Sequence, residues 1–266
     1  MSAPALKVTA DSPALGVRRI ALNRPESLNA IDEETRAGLQ QALEDALADD
    51  GIKSIILTGM GANFSAGGDI RYMRQLEADA FTAFHGRLLH LCRIIGGADK
   101  PIVGAVRGAC AGGAMGLALA CDQLLASTTT RFLIPFMRIG LTPDMALPYW
   151  LARRVGPQTA RHIVLQDEPV LAERALTLGM CDQLSDDAAL EEMAVNLASR
   201  LADRAPLALR QTRSLLRDCT LPFEDYLEAE RIAASTCLGS PEFHEGVAAF
   251  LEKRRPLWPQ SNAGES

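Results

Sequence analysis

Nothing in this 266-residue chain pairs cysteines at close spacing or repeats histidines at metal-ligating intervals. The six cysteines, Cys92, Cys110, Cys121, Cys181, Cys219 and Cys237, form no C-x-x-C, and four of them sit in apolar runs. That usage predicts reduced core thiols, not a disulfide frame or a zinc ribbon. The four histidines make no H-E-x-x-H. His85 and His90 stand five apart on a predicted helix and share no face, so each reads as a surface or half-buried position and no metal is expected. The longest apolar run, about residues 109–121, is full of glycine and too short to cross a bilayer. Residues 1–8 lack the charged start and apolar stretch of a signal peptide. Basic excess is missing as well: Lys and Arg number 27 against 33 Asp and Glu, a net charge of −6. A nucleic-acid surface is therefore not expected, nor is a membrane partner. The chain reads as soluble and cytoplasmic, with a loose tail at Ser261–Ser266.

What is present is a 48% apolar share, enough for a substantial core, distributed in two patterns. Strand-like runs at Leu6–Val8, Val17–Leu22, Ser54–Thr58, Ile102–Val106, Asp122–Ser127, Arg131–Ile134 and Cys181–Leu184 alternate with helical stretches. The first two flank a predicted turn over Asp11–Gly16. Asp32 is placed to cap a helix carrying Leu39, Leu43 and Leu47. Short helices are expected near 146–154, 157–164 and 171–177. Beyond about residue 186 the pattern is helical throughout, over 188–203, 206–218, 222–236 and 241–252. An α/β core over residues 1–200, followed by a helical region over 201–266, is the expected organisation.

Two of the strand-like runs end in glycine-bearing bends. Ser54–Thr58 leads to Phe64–Ile70, with Gly67 and Gly68; Ile102–Val106 leads to Gly108–Gly113, with Gly112 and Gly113. Bends without side chains let backbone N–H groups point into open space. Two such bends converging would hold an oxygen that becomes negative during a reaction. Either pair alone is equally a turn or a close helix contact. Asp69 is placed to cap the helix after the first. Gly59-x-Gly61 opens like a dinucleotide fingerprint, but Phe64 stands at the third glycine. Ser65 resembles a nucleophile, but Asn63 breaks the G-x-S-x-G elbow.

These residues resemble a known family. Leu22–Ile31, Phe64–Ile70, Lys100–Gly108, Ala111–Gly113 through Cys121–Asp122, and Glu245–Arg254 are similar, in order, to motifs of the enoyl-CoA hydratase/isomerase (crotonase) superfamily. The resemblance spans about residues 6–256. It implies a crotonase-like spiral of strand–strand–helix turns with a C-terminal helical region that builds homotrimers, often paired into hexamers. It implies an acyl-CoA thioester as partner, with the coenzyme carried by the substrate and no separate cofactor. By motif position the thioester oxygen falls to the N–H groups of Gly68 and Gly113, within Gly67, Asp69, Ile70 and Gly112. Contacts with the CoA moiety fall on Arg24, Glu26, Ser27 and Ala66, with Arg71 toward its phosphates. Phe250 and Lys253 match positions that reach a CoA ligand near a subunit boundary.

The departures from the family are informative. Hydratases of this family add water with two glutamates, and the matching positions here are Gly116 and Phe136. Neither carries a proton, and hydration needs both an acid and a base. The common adenine-site lysine is replaced by Glu26. One acid remains, Asp144 in Ile139–Asp144. From the residues alone it is equally the N-cap of a helix starting at Met145. Beside the family pattern it matches the sole catalytic acid of a subset resembling the phenylacetate-pathway and Δ3,Δ2-enoyl-CoA isomerases, which also have phenylalanine at position 136. In that subset a glycine pair follows the aspartate; Ala146–Leu147 stand there in this chain. An apolar wall of Phe136, Met137 and Leu141 is expected to raise the pKa of Asp144. Three readings stay open beside isomerisation: a hydratase with a non-standard site, a dehalogenase-like aryl-CoA hydrolase with His90 close to the required base position, and a non-catalytic acyl-CoA binder.

Overall fold

The computed structural model describes residues 6–217 and 220–258. Cys219, the end of the helix expected over 206–218, residues 1–5 and the tail Ser261–Ser266 lie outside the described residues. The chain divides into two compact units, Met1–Ser199 and Arg200–Ser266.

The first unit is built on a six-stranded sheet in the order β1-β2-β3-β4-β6-β9. Its strands are β1 (Val8–Ala14), β2 (Val17–Leu22), β3 (Ser54–Gly59), β4 (Ile102–Val106), β6 (Gln123–Ser127) and β9 (Gln183–Ser185). Only β1 runs antiparallel to its neighbour. The β1–β2 turn is tighter than the sequence predicts. Gly16 takes φ +73°, closing the hairpin at Leu15–Gly16, and β1 continues through Ser12–Pro13 by an irregularity between Asp11 and Ala14. Proline is tolerated there because β1 is an edge strand. A second sheet joins β7 (Arg131–Leu133), the strand expected at Arg131–Ile134, to β5 (Ala109–Ala111) and β8 (Val170–Leu171), two strands too short to read from pattern alone.

Helices α1 (Glu33–Ala48) and α3 (Ala78–Gly97) bury Leu39, Leu43, Phe84, Leu88, Leu91 and Ile95 in one core with Ile20, Leu22, Ile55 and Leu57 of the sheet. Ala46 completes the buried stripe of α1, and Leu47 is only half-buried. Asp32 caps α1 as expected, accepting from the Thr35 N–H at 2.9 Å. Burying one leucine contributes roughly 1.5–3 kcal/mol. A four-residue helix, α2 (Ile70–Met73), precedes α3. Helix α4 (Gly112–Ala120) is buried on almost every side, as its uniformly apolar, small-residue sequence dictates. Then come α5 (Leu147–Val155), α6 (Pro157–Gln166), α7 (Ala172–Thr177) and α8 (Leu190–Ala202). The succession β4–β5–α4 and β6–β7–α5 gives the strand–strand–helix turns of a crotonase-like α/β spiral.

The second unit holds α9 (Pro206–Arg217), α10 (Phe223–Leu238) and α11 (Pro241–Leu251), close to the expected helices. The five described cysteines are free thiols. No helix among the described residues is long and apolar enough to cross a membrane.

Candidate active site

The first bend is fixed by neighbours on both sides. The Ser65 N–H donates to the Ala109 carbonyl at 3.0 Å, and the Ala111 N–H donates to the Ser65 carbonyl at 2.9 Å, joining the bend to β5. The Ala66 N–H donates to the Leu28 carbonyl at 2.8 Å, and the Gly67 N–H to the Ser65 hydroxyl at 3.1 Å. Ile31 then pairs as in a parallel ladder, donating to the Gly67 carbonyl at 2.8 Å and accepting from the Asp69 N–H at 2.9 Å. A residue bracketed in this way turns its own N–H and carbonyl to the opposite side. Gly68 is the bracketed residue. Among the described residues, its N–H is the one between Ser65 and Asp69 that has no acceptor. Asp69 caps α2, accepting from the N–H groups of Arg71 and Tyr72 at 3.1 and 3.2 Å.

The second bend is a short strand running directly into a helix. Gly112 opens α4 at φ +54°, so Gly113 lies in the first turn, where N–H groups have no intrahelical acceptor and the helix dipole favours negative charge. The two bends touch. A Cβ on Gly67, itself at φ +90°, would lie 2.8 Å from the Ala111 carbonyl oxygen and 3.2 Å from Gly112 Cα. Only glycine permits that approach. Two loose N–H groups, from separate elements, are thus held on abutting bends.

Asp144 stands beside the second bend. A Cβ on Gly113 would fall 2.7 Å from Asp144 Oδ1 and 2.4 Å from Met145 Sδ. That Oδ1 is buried and has no hydrogen-bond partner. The N-cap role is not realised. Helix α5 begins at Leu147, its capping position is Ala146, and no side chain caps it. Burial pushes the Asp144 carboxyl up to about 6, while the electrostatic influence of His85 and the residue's own N–H draw it down. Neighbouring Cys92 is pushed up to about 12, by burial first and then by the Asp144 charge. His85 and Cys92, seven apart on α3, are two neighbours that sequence reading missed. The i, i+7 spacing puts them on one face, and only the fold could aim that face at Asp144. His85 is half-buried and stacked parallel to Phe81, with 6.3 Å between ring centroids. His90 is exposed, 3.9 Å from Glu44.

Met145 and Ala146 both adopt left-handed backbone, at φ +49° and +56°. In this conformation the chain crosses directly over Gly116, where a Cβ would lie 2.4 Å from the Met145 carbonyl oxygen. Main chain thus fills the space that a side chain at position 116 would need.

The remaining predicted residues divide. Phe136 is buried, with its ring edge 3.9 Å from the Cβ position of Gly112, and Leu141 is half-buried. Met137 is 45% exposed, so the expected three-residue apolar wall is not closed on that side. Glu26, Ile70 and Arg71 are exposed, and Ser27 and Ala66 half-buried. Arg24 points inward: its Nη1 donates to the Ala30 carbonyl at 2.7 Å and to Asp69 Oδ2 at 3.2 Å. Phe250, 83% exposed on α11, and Lys253 belong to the second unit. Asn29 also escaped notice as an organiser. Buried at φ +55°, it donates to the carbonyls of Met60 and Asn63 and accepts from the Arg24 N–H. Asparagine tolerates left-handed backbone, which was the available signal. No group of three or more His, Cys, Asp or Glu among the described residues is arranged to hold a metal ion.

Residues 14–261 match the family described as Enoyl-CoA hydratase/isomerase. The chain is 32% identical over 247 residues to the 1,2-epoxyphenylacetyl-CoA isomerase of Escherichia coli strain K12, covering 91% of this chain and 94% of that protein. It is 31% identical over 238 residues to the 2,3-dehydroadipyl-CoA hydratase of the same strain, covering 89% and 92%. A crystal structure of an enoyl-CoA hydratase from Polaromonas sp. JS666 superposes with a TM-score of 0.90 at 29% identity, covering 95% of this chain and 99% of that one. The abutting glycine bends, the buried carboxyl and these likenesses agree: the chain belongs to the enoyl-CoA hydratase/isomerase family and is an acyl-CoA enzyme of the crotonase superfamily.

Proposed function

We propose that this enzyme moves a double bond within an enoyl-CoA thioester, with Asp144 as its single proton carrier. The observation that carries this reading is the buried, unpartnered Oδ1 of Asp144 beside Gly113, with no second carboxyl at position 116 or 136. In this mechanism Asp144, largely ionised at neutral pH, removes a proton from C2 of a 3-enoyl-CoA. The electron pair delocalises into the thioester carbonyl, and the charge on oxygen is met by the N–H groups of Gly68 and Gly113. The same carboxyl then returns the proton at C4, leaving the 2-enoyl-CoA. One acid suffices because the group that is protonated in the first half-reaction is the acid needed in the second. Hydration needs a second group to handle water, and main chain occupies its place.

For the CoA moiety we assign Glu26 and Ser27 of the loop after β2, the backbone at Ala66, and the exposed Arg71. Phe250 and Lys253 of a neighbouring copy would complete the site. The second unit leaves Phe223, Phe250 and Leu251 71%, 83% and 74% exposed, which supports assembly into a homo-oligomer. Incubation with 3-enoyl- and 2-enoyl-CoA esters, followed by product analysis, tests the activity. Interconversion of the two esters is expected. Accumulation of 3-hydroxyacyl-CoA would replace this reading with hydration, and recovery of unchanged esters would replace it with inert binding.

A further inference from the structure

Arginine side chains ordinarily extend their guanidinium into water. That of Arg24 does not: the side chain is only 14% exposed although the residue lies in a loop after β2. Its Nη1 is surrounded by three oxygens, the Ala30 carbonyl at 2.7 Å, Asp69 Oδ2 at 3.2 Å and Asp32 Oδ2 at 3.2 Å. Each acceptor belongs to something the first bend depends on. Asp69 Oδ1 caps α2, and the Asp69 N–H makes one of the two bonds that bracket Gly68. Ala30 immediately precedes Ile31, which supplies both of those bonds. Asp32 Oδ1 caps α1, and Lys7 Nζ reaches its Oδ2 at 2.7 Å. One cation therefore ties both sides of the Gly68 bracket to the start of α1.

We infer that Arg24 is a positioning residue for the oxyanion hole, clamping the Ala30–Ile31 segment and Asp69 so that the Gly68 N–H stays aimed at the thioester oxygen. Without the guanidinium, Lys7 still neutralises Asp32, but Asp69 loses its ion-pair partner and faces the Asp32 carboxylate, a like charge. The Ile31 bracket then loses the cation that joins its two sides. A role as a CoA ligand predicts something different, because a ligand contact changes affinity and leaves the hole intact.

The kinetic arm of this inference rests on the proposed isomerase reading; the spectroscopic arm does not. The probes are Arg24→Ala and Arg24→Lys, kinetics with a 3-enoyl-CoA, and a saturated acyl-CoA carrying ¹³C at the thioester carbonyl. Bound to wild type, that carbonyl should show an infrared stretch shifted to lower frequency than in water. In Arg24→Ala the shift should be largely lost and kcat should fall on the order of 10- to 100-fold, less than the 10²–10³ that follows outright removal of a donor. The Kd of the saturated ester should stay within about threefold, and added guanidinium ion should restore part of both losses. Arg24→Lys, which keeps the charge without the fork, should fall between. Weakened binding with kcat and the carbonyl shift intact would overturn the inference, as would no change in any readout. A polarised carbonyl without turnover in wild type would remove the isomerase reading and leave the clamp standing. Absence of polarisation in wild type would remove both.

Discussion

Replacing Asp144 by asparagine should stabilise the protein, and by an amount that depends on pH. The folded carboxyl sits at about 6 against an ordinary 3.8, because burial disfavours its ionised form. Between these values the native state holds its proton more tightly than the unfolded chain does, so native stability falls as pH rises through that window. Above about pH 6 the full penalty applies. Two pKa units correspond to about 3 kcal/mol, and solvent on the open side of this half-buried residue reduces that to about 1–3 kcal/mol. Asparagine resembles the protonated acid and never ionises. Urea unfolding of wild type and Asp144→Asn at pH 4, 5.5 and 7.5 should therefore give nearly equal midpoints at the lowest pH. The variant's advantage should grow through the middle value and level off above it. A gap that does not vary with pH, or a variant less stable at pH 7.5, would refute the burial of an ionised carboxylate at this position.

The same titration governs catalysis in the opposite sense. Because the base must be ionised, kcat/KM for a 3-enoyl-CoA should rise about tenfold per pH unit below about 6 and flatten above it, and a profile flat from pH 4.5 to 8 would contradict Asp144 as the base. Ala146→Gly should raise stability by about 0.5–1 kcal/mol in thermal or urea unfolding, since φ +56° is strained for any residue with a Cβ. Gly116→Glu, which restores a family carboxylate by sequence, should create no hydratase. Its Cβ would meet the Met145 carbonyl oxygen at 2.4 Å, so reduced stability, by about 3 kcal/mol or more, is expected with no 3-hydroxyacyl product.

The sequence made some parts of this site legible and hid others for physical reasons. Asp32 and Asp69 were readable as caps because capping is local, a side chain reaching two or three residues ahead. The C-terminal helices were readable because their apolar periodicity is strong and uninterrupted. The glycine bends were visible as composition, but not the direction of the Gly68 N–H, which is set by Ile31 from 37 positions upstream. The family resemblance assigns Arg24 to the CoA moiety by motif position; its inward course toward two carboxylates and a carbonyl is set by residues that only tertiary folding brings together. The left-handed pair Met145–Ala146 carries no glycine to announce it. Its conformation is imposed by packing, with Met145 2% exposed beneath the loop. His85 and Cys92 needed the placement of α3 against the Asp144 loop before their proximity meant anything.

Solvent deuterium exchange into a bound enoyl-CoA, compared between wild type and Asp144→Asn, bears most directly on the proton carrier. Wild type should wash deuterium into C2 and C4. The variant should bind the ester with unchanged Kd and exchange at least about 10³-fold more slowly, the scale of losing an essential general base. Exchange at the wild-type rate in Asp144→Asn would contradict the account.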